Sequence, residues 1–221
     1  MVNGLCADSR KVRARSRKKG ALLLENIIEQ IFEPQFRQIS LRPVSGNNQI
    51  KGSGITYRPT PDVGEGYYWV QPIRNLCAVT IADLTFKKEV ELNYEHPSFL
   101  AVGNYAPPLV PHFQGNTVAS YSARCVRTEN HLVGYINNAS RFRAGISEGG
   151  TMRCVSVTML PGYFRSFLPK CFSVDHQELV HSVEGLAGRV TMPELEYLFA
   201  QICRVNPSAK YGGLYFESKV L

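Results

Sequence analysis

No stretch of the 221-residue chain approaches eighteen consecutive apolar residues, so nothing in it reads as a helical membrane span. The N-terminus lacks the short apolar segment and small-residue cleavage site of a secretory signal. Cys6, Cys77, Cys125, Cys154, Cys171 and Cys203 contain no C-x-x-C pair, which fits reduced thiols in a reducing compartment better than a disulfide framework. Cys77, Cys125 and Cys154 lie inside apolar runs, where a thiol serves as a small core residue. His96, His112, His131, His176 and His181 form no H-x-H pair, and the last two, five apart, do not share a helical face, so a metal centre finds no ligand set. The phosphate loop and G-x-G-x-x-G are missing too, and nothing selects a Cys/His pair. No catalytic residue, metal or cofactor is therefore expected.

Net charge is confined to one segment. Arg10, Lys11, Arg13, Arg15, Arg17, Lys18 and Lys19 supply the whole net charge of +7, and the remainder is neutral. A like-charge block without aromatics reads as a solvated, mobile tail, able at most to neutralise phosphates without reading sequence.

What is present is a globular composition, 44% hydrophobic and 19% charged, whose hydrophobic period changes twice. Leu24, Ile27, Ile28, Ile31 and Phe32 fall at helical spacing, predicting a short amphipathic helix that stops before Pro34. A Gly, Pro, Asn and Ser-rich stretch to Pro61 reads as loop and irregular strand. Strand signals then follow at Tyr67 to Ile73, Leu76 to Leu84, Phe86 to Glu95, Phe99 to Tyr105, Val118 to Val126, Leu132 to Ile136, Phe142 to Ile146 and Thr151 to Leu160. The second run is apolar enough to be buried on both faces, whereas Phe86, Val90, Leu92 and Tyr94 alternate with polar residues, leaving one face in water. Turn signals sit at Arg74-Asn75, Pro107 to Gly115, Asn137-Asn138 and Gly149-Gly150. With no helices between these strands, a parallel sheet is excluded and an antiparallel barrel or sandwich is favoured.

From Pro161 the helical period returns. A short helix is predicted over Pro161 to Leu168, and Asp175 with Glu178 and Thr191 with Glu194 have capping-box spacing. Leu195, Leu198, Phe199 and Ile202 form one apolar stripe, and Ser208 can cap a last helix carrying Leu214, Tyr215 and Leu221. That helix has no stop signal, so the chain is expected to continue into a further domain in the intact protein.

The segments Ile202 to Pro207 and Gly213 to Leu221 resemble the end of the N-terminal region of AraC/XylS-type transcriptional regulators, as do Tyr68-Trp69-Val70, Leu160 to Phe164 and Met192 to Leu195. The resemblance covers roughly residues 65 to 221; Asn206 stands where the family often has Cys. It implies a cytoplasmic, ligand-sensing, homodimerising region whose DNA-binding helix-turn-helix units lie outside this chain. The implied organisation is a basic tail at 1–20, an N-terminal helix and loop at 21–51, a cupin-like antiparallel β-barrel at 52–160 and a helical dimerisation bundle at 161–221. The barrel would hold a small-molecule effector, with Tyr67, Trp69, Tyr94, Phe99, Tyr105, Tyr121 and Arg143 as candidate ligand contacts, since aromatics with polar ends and an inward Arg suit such a pocket. Arg124 and Arg141 also lie on or beside predicted strands. Leu195, Leu198, Ile202 and Leu214 are the candidate dimer contacts. The alternative class is a cupin-like metal-dependent enzyme.

Overall fold

The computed structural model describes residues 26–44, 54–105, 112–114, 117–120, 131–137, 140–173, 175–185, 192–204 and 212–220. Eleven strands lie within them: β1 (Leu41–Pro43), β2 (Ile55–Pro59), β3 (Gly64–Ile73), β4 (Cys77–Phe86), β5 (Val90–His96), β6 (Phe99–Tyr105), β7 (His112–Gln114), β8 (Thr117–Ser120), β9 (His131–Asn137), β10 (Ser140–Ile146) and β11 (Thr151–Met159). The helices are α1, a π-helical turn (Ile28–Phe32) running into an α-helical one (Glu33–Gln38); α2, built the same way (Tyr163–Phe167, then Leu168–Phe172); α3 (His176–Gly185); α4 (Pro193–Arg204); and α5 (Gly212–Val220). The basic run at 10–19, Cys6, Cys125, Arg124 and Tyr121, and the capping residues Thr191 and Ser208, lie outside the described residues.

Seven strands form one antiparallel sheet in the order β1-β2-β3-β4-β11-β6-β9; β5 pairs with β10 and β7 with β8. The fold is thus mainly β with helices at both ends. Among the described residues the strands make three separate sheets, so the closed barrel expected from the sequence is not found. At residues 87–89 the chain leaves the large sheet, and the β5–β10 ribbon then stands opposite it with apolar side chains between. The pairing is nested: β4 with β11, β5 with β10, β6 with β9, β7 with β8.

The strand β4 is buried on both faces because the large sheet is covered twice. On the inner face Tyr68, Val70, Ala78, Ala82, Leu84 and Phe86 pack with α1 and with Val90, Leu92, Ala144 and Ile146 of the ribbon. On the outer face Trp69, Ile73, Val79, Ile81, Val155 and Val157 pack with Tyr163 and Phe164 of α2, Phe199 and Ile202 of α4 and Phe216 of α5. The described parts of both flanking regions, within 26–44 and 161–220, therefore contribute side chains to the cores on the two faces of the sheet.

Four expectations need correction: the strand read over Phe86 to Glu95 is broken at 87–89, with Phe86 ending β4 and Val90 opening β5, the turn read over Pro107 to Gly115 contains β7, and two helices run past their expected ends. The helix α1 does not stop before Pro34 but runs through it to Gln38, and the helix at Pro161 extends past Leu168 to Phe172. In an α-helix a proline ring collides with the carbonyl four residues back and leaves it without a donor. Here the N–H of Glu33 donates to the carbonyl of Ile28, and that of Leu168 to that of Tyr163, five residues back in each case. These wide π turns shift the carbonyls ahead of Pro34 and Pro169, and the helix continues. Among the described residues no helix is long and apolar enough to cross a membrane.

Candidate functional site

The space between the large sheet and the β5–β10 ribbon is graded along its length. Near the β4–β5 turn it is filled by Leu84, Phe86, Val90, Leu92, Ile146 and Met152. Farther along, the inner sheet face carries small or hydroxyl-bearing residues: Ala78, Thr80 and Ala82 of β4, Ala101 and Gly103 of β6, Ser156 and Thr158 of β11. A Cβ at Gly103 would come within 2.8 Å of the Tyr105 ring and 2.7 Å of the Ser156 Cβ, so glycine is what lets that ring lie across the sheet. The Thr80 and Ser156 hydroxyls are buried and 2.7 Å apart, each the other's partner in apolar surroundings.

Facing these small residues is an aromatic group. Successive inward positions of β5 bring Tyr94 and His96 together, ring centres 5.6 Å apart, and Phe142 of β10 lies 5.1 Å from Tyr94. Phe99, which opens β6, meets His96 edge to face at 5.2 Å. Burial pushes the His96 imidazole below its ordinary pKa, only partly offset by its own backbone and that of Pro97, so the neutral ring is favoured. The Tyr94 hydroxyl lies 3.5 Å from the Gln35 side-chain oxygen, which ties the group to α1. Small side chains opposite a wall of large aromatics, with hydroxyls at hand, suit a flat, mainly apolar molecule carrying one or two polar groups.

Of the candidate contacts, Tyr94, Phe99 and Tyr105 face this interior. Tyr67 and Trp69 do not, because side chains alternate across β3: Trp69 stacks on Phe216 at 4.8 Å and Tyr67 looks onto α4 on the outer face. Arg143 is exposed on the outer side of β10, where desolvation costs nothing, as is Arg141, which donates to the Asn93 side chain at 2.6 Å. Tyr121 lies outside the described residues. Of the dimer candidates, Ile202 is fully buried in the chain's own core and Leu195 and Leu198 pack against it, whereas Leu214 is 68% exposed.

The sequence reading passed over His96, Phe142, Thr80 and Ser156 as site residues. Extending the period of two through Leu92 and Tyr94 would have placed His96 inside, and a hydroxyl within otherwise apolar β4 and β11 is itself a signal. Gly145 to Gly149 also spells G-x-S-x-G, the spacing of a hydrolase nucleophile. Here Ser147 sits exposed in the turn that leads from β10 to β11, its carbonyl accepting the Gly150 N–H at 2.9 Å, and a strand rather than a helix follows. Among the described residues no three His, Cys, Asp or Glu side chains converge. Compared with known proteins, the chain matches no family model, no curated protein and no solved structure.

Proposed function

We propose that this chain is the effector-sensing and dimerising region of a cytoplasmic AraC/XylS-type transcriptional regulator, with a cupin-like double-sheet barrel as its sensor. The observation that carries the reading is the nested pairing of β4 with β11, β5 with β10, β6 with β9 and β7 with β8, the strand order of the double-sheet jelly roll that cupins use. The graded interior supports effector binding between Tyr94, His96, Phe99 and Phe142 on one side and Thr80, Ser156 and Tyr105 on the other. Leu214, exposed on a helix otherwise packed on its own sheet, supports an isologous helix contact between two copies. Sequence-specific DNA binding belongs to helix-turn-helix units beyond this chain, with the charges at 10–19 adding only salt-sensitive phosphate contacts.

The test is a thermal-shift screen of sugars, aromatic acids and phenols. A ligand at a hundred times its Kd adds about 2.7 kcal/mol, or roughly 5–10 °C in a domain of this size. A hit whose shift is lost in Tyr94→Phe or Thr80→Val supports the reading. Absence of any hit, or hits indifferent to both variants, removes the interior as a sensor site.

A further inference from the structure

On the sheet face opposite that interior, a cleft of about 460 Å³ separates the strands from α4, a volume typical of small-molecule sites. Its apolar part is made by Ile81 and Val155 from the sheet and Phe199 from the helix. Its polar part is unbalanced in two ways. Among the described residues the buried side-chain oxygen of Asn104 has no hydrogen-bond partner, an arrangement that costs free energy until a donor arrives. Arg153 and Asp83, on paired strands, neutralise each other through a 2.9 Å contact, whereas Arg204, the last residue of α4, makes no ion pair among the described residues. Among the described residues the cleft is therefore left with one uncompensated cation. Arg42 and Arg58, directly opposite each other on β1 and β2 and exposed on this same side of the sheet, likewise make no ion pair among the described residues.

We infer that this cleft binds a small organic acid, with its apolar body against Ile81, Val155 and Phe199, its carboxylate at Arg204 and an N–H or O–H group donated to the Asn104 oxygen. The apolar floor selects an organic acid over a bare inorganic anion, because inorganic phosphate gains nothing from it. The site is separate from the space between Tyr94 and Thr80 and does not rest on the regulator reading. Because one wall is α4, whose Phe199 and Ile202 hold it to the sheet, an occupant contacts both layers and fastens them together.

Isothermal titration of the 221-residue chain with phenylacetate, 4-hydroxyphenylacetate, cinnamate and indole-3-acetate, each beside its primary amide and beside inorganic phosphate, tests this. At least one acid is expected to bind with a submillimolar Kd, its amide about tenfold or more weaker, since only the carboxylate makes a charge-assisted bond to the guanidinium. Arg204→Gln, at an exposed position, should weaken the acid about tenfold while leaving the amide unchanged. Ala200→Trp, also exposed and lining the cleft, should abolish binding by filling it, and it decides the matter if the Arg204 variant fails to fold. Tyr94→Phe should leave the affinity unaltered. The inference is overturned if no acid binds at 10 mM, if acid and amide or acid and phosphate bind alike, or if Tyr94→Phe abolishes binding that Ala200→Trp leaves intact.

Discussion

At the scale of single residues, the interior is defined by a few polar groups whose partners are themselves buried. Thr80 and Ser156 satisfy each other, so Thr80→Val, nearly equal in shape, strands the Ser156 hydroxyl and is expected to cost about 1–3 kcal/mol in urea unfolding. Adding Ser156→Ala removes the stranded group, and the double variant should lose less than the sum of the two single ones. His96 carries a pH signature. Its folded pKa lies below its unfolded value, so the unfolded chain binds more protons between the two, and stability held above about pH 6.5 is lost as the pH falls through the folded value. Melting curves should therefore move to lower temperature from pH 7 to pH 5, and His96→Phe should remove part of that movement. The thiols divide as burial dictates: Cys77 is fully enclosed and its pKa is pushed up to about 12, burial against the cleft also raises that of Cys203, and Cys171 is exposed. Brief alkylation of the native protein followed by mass spectrometry should label Cys171 ahead of Cys203 and spare Cys77.

At the scale of elements, the fold depends on local departures from regular geometry. The β3–β4 hairpin turns through Arg74 to Leu76, with Arg74 and Asn75 both at positive φ, the backbone that matches a turn to the strand twist. Arg74 then reaches Glu217 of α5, so the turn also anchors the last helix. Within β3, Gly66 sits at φ +104°, and a Cβ there would lie 2.0 Å from the Asp83 carbonyl oxygen. Gly66→Ala must both strain the backbone and push β4 away, with an expected loss on the order of 3 kcal/mol by urea titration. The free edge of β5 is closed by a side chain: the Gln38 amide donates to the Asn93 carbonyl at 2.7 Å, and its oxygen accepts the Asn93 N–H. That pair of bonds imitates a strand neighbour and shields the edge from adventitious pairing.

At the scale of the whole molecule, one sheet separates two cores, and each terminal helical region belongs to one of them. The last helix is held by Phe216 on Trp69 and by the Tyr163 hydroxyl donating to the Val220 carbonyl at 2.7 Å. A substitution's effect on assembly should therefore follow the face of the helix it occupies. Leu214→Glu is expected to convert a dimer into a folded monomer in sedimentation velocity, because that side chain touches solvent in the single chain. Ile202→Glu should instead unfold the protein, since it forces a charge into the outer-face core. A wild-type chain that sediments as a monomer at micromolar concentration removes the dimer proposal for this chain.

The sequence alone determined where helical and strand periods change and the faces of most strands, because those follow from nearest-neighbour periodicity. The bounds Phe99–Tyr105, the alternation of Val90 and Leu92 with exposed Glu91 and Asn93, and the double burial of β4 were all legible in it. It also marked Tyr94, Phe99 and Tyr105 as site candidates, although residue type could not separate them from Trp69 and Tyr67. Only the tertiary structure decided that separation, since helices cover the outer face of β3 and make a large aromatic there a core residue. It also decided that helices pass through Pro34 and Pro169, which depends on hydrogen-bond register, and that the strands divide into two layers, which depends on how the ribbon packs. The pairing of Thr80 with Ser156, 76 residues apart, and the gathering of Asn104, Arg153 and Arg204 around one cleft leave no periodic trace. Contacts of that range are set by the register between strands and by where a helix comes to rest on a sheet.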